Sequence, residues 1–240
     1  MNTTTAAGQP RRAYKYYDLV MAAFVTILIC SNLIGPAKAA QVSLFGYPIT
    51  FGAGVLFFPI SYIFGDILTE VYGYARARKV IWSGFAALIF AAIMSAVIVA
   101  LPPAPDWPNQ HVYEVAFGNT WRVALASMTA YFCGEFVNSF VLAKMKVWTN
   151  GKSMWARFVG STIAGEAVDS SIFYPLAFLG SGIMPDELVF KLVGAQFITK
   201  TLVEIVLLPV TYRITAFLKK HEHEDYYDRD TDFSPFHLTN

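Results

Sequence analysis

The sequence carries the same short polar motif twice, in two neighbouring apolar segments. Residues 134–139 read Gly-Glu-Phe-Val-Asn-Ser, and residues 165–170 read Gly-Glu-Ala-Val-Asp-Ser. In each copy a glutamate and a second polar residue stand three positions apart, which places them on one face of a helix. A charged side chain at the centre of a bilayer costs about 2.5–3.5 kcal/mol on insertion-derived scales. The repeated motif therefore indicates an intramembrane site built at a pseudo-symmetry axis.

The composition is typical of an integral membrane protein. Of the 240 residues, 55% are hydrophobic and 15% are charged, whereas a soluble domain usually carries about 25% charged residues. Six apolar segments are long enough to cross a bilayer, which takes about 20 residues. They lie near residues 16–35, 50–70, 80–101, 119–147, 155–181 and 189–217. The predicted fold is an all-α membrane protein with six transmembrane helices.

The distribution of lysine and arginine predicts the orientation of these segments. Basic residues precede the first segment and follow the second, fourth and sixth, whereas residues 101–118 contain none. The positive-inside rule then places both termini in the cytoplasm. Residues 1–15 and 221–240 are predicted polar cytoplasmic tails on a transmembrane domain at 16–220. His221 and His223 could bind a metal, but a solvated, disordered tail is the preferred interpretation, and no metal site or cofactor is predicted.

Polar side chains in the other apolar segments extend the candidate site. Lys200 is the one cation deep within a predicted span, so it cannot neutralise every carboxylate. The remaining carboxylates must be protonated, hydrated or paired with a ligand rich in hydrogen-bond donors. The candidate substrate-binding residues are Asn32, Tyr62, Glu135, Asn138, Glu166, Asp169, Ser170, Gln196 and Lys200.

A second group of ionisable residues is expected to form structural or gating ion pairs. Lys200 and Glu204 are four positions apart, so an ion pair along one helix and a role in the site are both open. Asp66 and Glu70 lie a turn or two before Arg76, where salt bridges at the membrane interface would explain them. The group comprises Lys38, Asp66, Glu70, Arg76 and Glu204.

The connection between the first two predicted spans suggests a short hairpin. Residues 35–54 alternate in character around Gly46, a pattern that favours two short strands. With both termini in the cytoplasm, this hairpin would lie on the external side and could cover the mouth of the site. Pro59, which follows shortly afterwards, removes a backbone donor and could open the second span near a ligand.

A longer run in the second span resembles the signature of a known family. Residues 54–74 read Gly-Val-Leu-Phe-Phe-Pro-Ile-Ser-Tyr-Ile-Phe-Gly-Asp-Ile-Leu-Thr-Glu-Val-Tyr-Gly-Tyr, and this run resembles the queuosine precursor transporters of bacteria and archaea. Asn32, Lys38 and the helices that carry the two motif copies match the same pattern, so the resemblance covers roughly residues 16–218. It implies import, across the inner membrane, of 7-cyano-7-deazaguanine or 7-aminomethyl-7-deazaguanine for making queuosine in tRNA.

The residues of the site are chemically compatible with such a substrate. A guanine-like edge offers a ring N–H and an amino group as adjacent donors, and one carboxylate can accept both in a charge-assisted pair. The aminomethyl form adds a cation, which a second carboxylate could meet. The expected partners are this small molecule and the lipid bilayer, without nucleic acid, and a homodimer is possible.

Other functions stay open at this level. A substrate-binding subunit of an energy-coupled vitamin importer would also use about six helices, but it would need partner ATPases. An intramembrane enzyme would need catalytic groups within the spans. An aspartate pair, Asp66 and Asp169, is conceivable, but the histidines lie outside the spans, which leaves no serine–histidine pair there. A carrier without catalytic residues is preferred, either proton-coupled or passive. The histidines are His111, His221, His223 and His237.

Overall fold

The computed structural model of the chain describes residues 14–34, 39–44, 47–52, 57–117, 121–180, 182 and 185–236. Within these ranges the chain forms seven α-helices, one π-helical segment and two strands. In chain order they are α1 (Tyr17–Ile29), the π-helical segment (Cys30–Ile34), β1 (Ala39–Leu44), β2 (Tyr47–Gly52), α2 (Phe58–Tyr72), α3 (Tyr74–Ala100), α4 (Gln110–Phe117), α5 (Trp121–Trp148), α6 (Met154–Phe178) and α7 (Asp186–Glu222).

Several of these helices have the properties of membrane spans. Three described helical segments are both long and apolar enough to cross a bilayer, namely Tyr17–Ile34, Tyr74–Ala100 and Asp186–Glu222. Only 11% of the most apolar window of α3 is buried inside the protein, so this helix turns most of its apolar surface outwards. Helices α5 and α6, with 28 and 25 residues, also have the length of a span. Their polar residues face other helices, as described below.

The second predicted span is wrong over its first part. The sequence predicts a helix at 50–70, but Tyr47–Gly52 forms β2, and α2 begins at Phe58. Pro59 lies in the first turn of α2, where its missing N–H would have no helical acceptor in any case. A helix of 15 residues is about 22 Å long. Helix α2 is therefore shorter than the hydrocarbon core of a bilayer, which is about 30 Å thick.

The two strands pair antiparallel in the segment for which the sequence suggests a hairpin. Ala39 lies opposite Gly52, and Leu44 lies opposite Tyr47. The pairing satisfies backbone groups of a segment that interrupts the helical part of the chain. The external position of this hairpin stays a prediction.

Helix α2 lies at the centre of the described structure. It packs against α1, α3, α5 and α7, and nearly all of its residues are buried. Apolar side chains such as Ile67 and Leu68 fill the contacts between these helices. Because α2 is surrounded by protein, its two acidic residues, Asp66 and Glu70, must find their partners on neighbouring helices.

Residues 223–236 fold back against the ends of α2, α3 and α5, so the prediction of a solvated, disordered tail is wrong for this segment. Asp228 is 3% exposed and accepts the backbone N–H of Tyr74 at 3.0 and 3.1 Å. Trp82 Nε1 donates to the carbonyl of Pro235 at 2.7 Å. The acidic composition of the tail suggests disorder, but its carboxylates and carbonyls accept hydrogen bonds from donors at the ends of helices, and these bonds hold it in place.

The pKa values of two aspartates in this tail shift in opposite directions. Burial raises the pKa of Asp228, although its hydrogen bonds with Thr231 and Tyr74 work against that shift. Burial alone would also raise the pKa of Asp225, but hydrogen bonds and ion pairs with Lys146 and Lys219 outweigh it and lower that pKa. The Asp225 carboxylate lies 2.5 Å from Lys146 Nζ and 2.8 Å from Lys219 Nζ. The tail therefore joins the ends of α5 and α7 by charge.

The contact between Asp228 and the start of α3 predicts a loss of stability on mutation. We expect Asp228→Ala to lower the free energy of unfolding by about 1–2 kcal/mol, because it leaves the buried N–H of Tyr74 without its acceptor. The measurement is the Tm of the purified protein in detergent. Asp230→Ala, which changes an exposed aspartate of the same tail, is the matched control. An unchanged Tm for Asp228→Ala would contradict a stabilising role for the docked tail.

Candidate functional site

The two motif copies meet where α5 crosses α6, as the sequence predicts. A Cβ atom added to Gly134 would lie 3.0 Å from the carbonyl oxygen of Gly165, and one added to Gly165 would lie 3.0 Å from that of Gly134. The same added atoms would lie 2.9 Å from Asp169 Cβ and 2.8 Å from Asn138 Cβ, respectively. The contacts are thus reciprocal, as expected for two antiparallel helices related by a local two-fold axis. Larger residues at the two glycines would separate the helices.

Lys200 connects α7 to the second motif copy. Its ammonium group contacts the carboxylate of Asp169 and lies 3.2 Å from Glu166 Oε2. All three side chains are buried. The interpretation of Lys200 and Glu204 as an ion pair along one helix is therefore wrong. Two carboxylates on α6 attract the ammonium more strongly than one carboxylate on its own helix.

A second part of the site holds carboxylates without a cation. Asp66 on α2, Glu135 on α5 and Glu204 on α7 are all at most 3% exposed. Asn138 Nδ2 donates to Asp66 Oδ1 at 2.8 Å. Neither oxygen of Glu135 and neither oxygen of Glu204 has a hydrogen-bond partner among the described residues. An unpaired buried carboxylate is costly unless it is protonated or meets a donor, so this part of the site needs protons or a ligand with donor groups.

Glu70 lies one helical turn beyond Asp66 and belongs to a separate ion-pair network. Arg157 donates to both of its carboxylate oxygens, from Nε at 2.8 Å and from Nη2 at 2.7 Å. Lys219 Nζ lies 2.5 Å from Glu70 Oε1, and Lys146 Nζ lies 3.6 Å from the same atom. The cations come from α5, α6 and α7, so this network ties three helix ends to α2.

Glu70 forms ion pairs, as the sequence predicts, but with Lys146, Arg157 and Lys219 and not with the basic residues that follow α2. Asp66 points to Asn138 and not to the basic end of the helix. The guanidinium of Arg76 stacks on the rings of Tyr14 and Tyr226, at 4.7 and 5.5 Å from their centroids. Because α2 is buried on all sides, contacts with other helices decide its pairing, and proximity in sequence does not reveal them.

Two tyrosine hydroxyls complete the polar surface of the site. The rings of Tyr62 and Tyr131 lie edge to face with centroids 6.0 Å apart. Both hydroxyls are buried without a hydrogen-bond partner in the described part of the chain, and so is the hydroxyl of Ser170. Tyr62 and Ser170 are predicted site residues. Tyr131 is not, although its position four residues before Glu135 places it on the same helix face.

The remaining predicted residues lie further out. The Asn32 amide donates to Leu28 O and Ser31 Oγ, both at 3.0 Å, and its carbonyl oxygen accepts from Ser127 at 2.8 Å. Its described contacts therefore link the π-helical segment to α5. Gln196 is half-buried one turn before Lys200, and Lys38 lies outside the described residues.

The sequence interpretation did not identify the basic residues of the Glu70 network as partners of Glu70. Arg157 and Lys146 are each 1% exposed, although the sequence places both at the ends of spans where solvation is expected. A signal was available, since both residues fall just within the predicted spans 119–147 and 155–181, and a basic residue that is buried there needs an acidic partner. The partner could not be chosen from sequence.

Comparisons with known proteins place the chain in a family. Residues 52–214 match the model of the family described as "Putative vitamin uptake transporter". A "Probable queuosine precursor transporter" of Bacillus subtilis (strain 168) is 30% identical over 198 residues, which cover 81% of this chain and 82% of that protein. The "Queuosine precursor transporter" of Escherichia coli (strain K12) is 27% identical over 179 residues, or 72% of this chain and 75% of that protein. No solved structure gives a significant match.

The family match is extensive. It includes α2, where the signature-like run lies, both copies of the polar motif and most of α7. The match to the Bacillus protein extends over more than four fifths of that protein's length. The residues that form the buried site therefore lie in the part of the chain that the family shares. This chain belongs to the vitamin uptake transporter family that the model defines.

Proposed function

We propose that this protein imports queuosine precursors through a membrane, with 7-cyano-7-deazaguanine and 7-aminomethyl-7-deazaguanine as the substrate class. The observation that carries this proposal is the buried surplus of carboxylates over cations in the site. Glu135 contributes two carboxylate oxygens without a described hydrogen-bond partner, in addition to the carboxylates of Glu166 and Asp169, which share Lys200. The two relatives described above are named as queuosine precursor transporters, which supports the same substrate class.

The geometry suggests a role for each group. In the proposed complex, the carboxylate of Glu135 accepts the ring N–H and the amino group of the base. The unpartnered hydroxyl of Tyr62 can donate to the carbonyl oxygen of the base. Glu166, which has Lys200 on one side, can pair with the ammonium of the aminomethyl form. Asp169 then holds Lys200 in place.

The proposed topology has six membrane crossings and places both termini in the cytoplasm. Five crossings are made by α1 with the π-helical segment, α3, α5, α6 and α7, and the shorter α2 makes the sixth while enclosed by α1, α3, α5 and α7. One end of the structure supports this arrangement. The Glu70 network gathers the ends of α2, α5 and α7 with the start of α6. The start of α1 reaches the same end, where the Tyr16 N–H donates to Glu222 at 2.6 Å. Alternating helix starts and ends on one side are what six crossings would produce, and the basic residues there fit the cytoplasmic face of an inner membrane.

A binding panel on the purified protein tests the substrate class. The panel contains both 7-deazaguanines, guanine and biotin, each titrated against protein in detergent by calorimetry. We expect saturable binding of at least one 7-deazaguanine and none of biotin. Binding of biotin without binding of either 7-deazaguanine would contradict the proposed substrate and favour a different vitamin.

The close approach of α2 to α5 at Gly65 predicts a specific loss of transport. A Cβ atom added to Gly65 would lie 1.8 Å from Glu135 Oε1. Because that oxygen is the free end of a flexible side chain, Gly65→Ala should move the carboxylate without separating the helices. We expect an uptake rate at least about tenfold lower, the equivalent of one lost hydrogen bond to a charged group. The measurement is uptake of a labelled 7-deazaguanine at equal protein level.

Gly194→Ala is the matched control for this variant. Gly194 lies on α7, and a Cβ atom added there would have no other atom within 4 Å. Its uptake should equal that of the wild type. Equal uptake by Gly65→Ala and Gly194→Ala would contradict the assignment of Glu135 to the substrate.

A further inference from the structure

The buried site divides into a part that holds a cation and a part that does not. On one side, Lys200 contacts Asp169 and Glu166. On the other side, Asp66 and Glu204 are neighbours where α2 packs against α7. Asp66 is 1% exposed and Glu204 is 3% exposed. Lys200 therefore neutralises carboxylates on one side of the site only.

The surroundings of the Asp66–Glu204 pair offer few free donors, because the nearby hydroxyls of Ser161 and Thr162 donate to the carbonyl oxygen of Phe158. Asp66 accepts one hydrogen bond, from Asn138 Nδ2 at 2.8 Å. No donor among the described residues reaches the Asn138 carbonyl oxygen or either oxygen of Glu204. Two adjacent buried carboxylates cannot both be ionised without a large cost. One proton held between them would form a short, charge-assisted hydrogen bond and would remove one of the charges.

We infer that Asp66 and Glu204 form a proton-binding site, and that the proton they share is the ion coupled to transport. This rests on the transport function proposed above and adds a ligand to it. The proton enters from water on one side of the membrane, binds between the two carboxyl groups, and leaves to water on the other side. No bond other than O–H forms or breaks.

The charged groups around the pair favour its protonation. Glu135 on α5 and Glu166 on α6 are the other carboxyl groups that act on Glu204 through their charge. Asp169 lies beyond, paired with Lys200. Lys200 precedes Glu204 by one helical turn, but its ammonium is directed to α6. Loss of the proton would therefore leave a charge without a counterion, unless Lys200 turns from α6 towards Glu204.

The next acidic residue along α2 does not take part. Glu70 is neutralised by cations from three other helices, as described above, so it has no need of a proton. The basic residues around it are Lys146, Arg157 and Lys219. Asp66 is thus the acidic residue of α2 that has no described cation as a partner.

The arrangement favours symport over exchange. Because the pair is distinct from Glu135 and Glu166, the proton and the substrate can be bound at the same time. A shift of Lys200 towards Glu204 after proton release would also weaken its hold on Glu166 and Asp169. Proton release and substrate release would then be linked through one side chain.

The test uses the purified protein in liposomes with labelled 7-cyano-7-deazaguanine, a neutral probe. With an acidic exterior, the wild type should concentrate the probe up to about tenfold for each pH unit of the gradient, the limit for one proton per substrate. A protonophore should abolish this accumulation. A second assay measures exchange of internal unlabelled probe for external labelled probe without a gradient.

Two variants keep the pair permanently neutral at one position. Glu204→Gln and Asp66→Asn should lose gradient-driven accumulation and keep exchange, because exchange does not require proton release. Glu187→Gln, at an exposed position of α7, is the matched control and should keep both activities. The use of two variants guards against one of them failing to fold.

The outcomes separate this inference from the proposed function. Gradient-driven accumulation that persists in both variants would overturn the proton site. Wild-type uptake that ignores the gradient and the protonophore would overturn proton coupling and leave a passive transporter. Loss of exchange in both folded variants would overturn the assignment, since the pair would then hold the substrate. Absence of any exchange by the wild type would contradict the proposed function itself.

Discussion

Replacing Glu135 or Glu166 by glutamine is expected to reduce uptake of 7-deazaguanine by about 10–100-fold, the equivalent of a hydrogen bond to a charged group worth about 1.5–3 kcal/mol. Glutamine keeps the size of the side chain, but it replaces one acceptor oxygen by an NH₂ group. At Glu135 this group would face the donors of the base, where both carboxylate oxygens are buried and unpartnered among the described residues. At Glu166 it would face Lys200, which lies 3.2 Å from Oε2.

The measurement is the initial rate of uptake at equal amounts of inserted protein. Glu114→Gln, at an exposed position of α4, is the matched control and should keep the wild-type rate. The Glu166 variant should lose more activity towards the aminomethyl form than towards the cyano form, because only the former carries a cation. Wild-type rates in both site variants would contradict the assignment of the two motif copies to substrate binding.

The Glu70 network should be the point at which a single substitution costs most stability. Glu70→Met would leave Arg157, which is 1% exposed, without its carboxylate. Removal of one partner from a buried ion pair typically costs about 3–5 kcal/mol. Arg157→Met should cost less, because Glu70 would keep Lys219 at 2.5 Å. The measurement is the Tm and the yield of folded protein in detergent.

The double variant makes this prediction specific. Removing both Glu70 and Arg157 eliminates the buried charges together, so part of the loss should be recovered. Lys146 and Lys219 would still have Asp225 as a partner, at 2.5 and 2.8 Å. Glu187→Met, at an exposed glutamate of α7, is the control. A double variant whose loss equals the sum of the two single losses would contradict a direct ion pair.

The local part of the site was predictable because it depends on short sequence spacings. A glutamate and a polar residue three positions apart share a helix face whatever the rest of the fold does. The glycine that opens each copy also permits the close crossing of α5 and α6 that the structure has. Antiparallel neighbours joined by a short connection then bring the two copies together.

The pairing of α2 was not predictable for a physical reason. Proximity in sequence suggested partners among the basic residues that follow α2, but the partners of Glu70, Arg157 and Lys219, lie 87 and 149 positions away. Because α2 is buried on all sides, its counterions come from the helices that pack against it, and these contacts cannot be read from composition. The same holds for the tail, where Asp228 serves a helix start 154 positions earlier.

The start of α2 illustrates a third limit. Residues 50–57 are apolar enough to be included in a span, yet Tyr47–Gly52 pairs with β1. Hydropathy shows only that a segment is apolar, and an apolar segment can form a strand as well as a helix. The proline at position 59 was the available signal for a helix start, since proline is tolerated in a first turn.

Uptake by the purified protein in liposomes that contain no other protein tests the central claim most directly. Labelled 7-cyano-7-deazaguanine and 7-aminomethyl-7-deazaguanine are offered in turn, with protein-free liposomes and the Glu166→Gln variant alongside. We predict saturable entry of at least one of the two labels through the wild type and a rate at least about tenfold lower through the variant, as expected for one lost hydrogen bond to a charged group. Entry of both labels at the rate of protein-free liposomes would contradict a self-sufficient transporter of queuosine precursors.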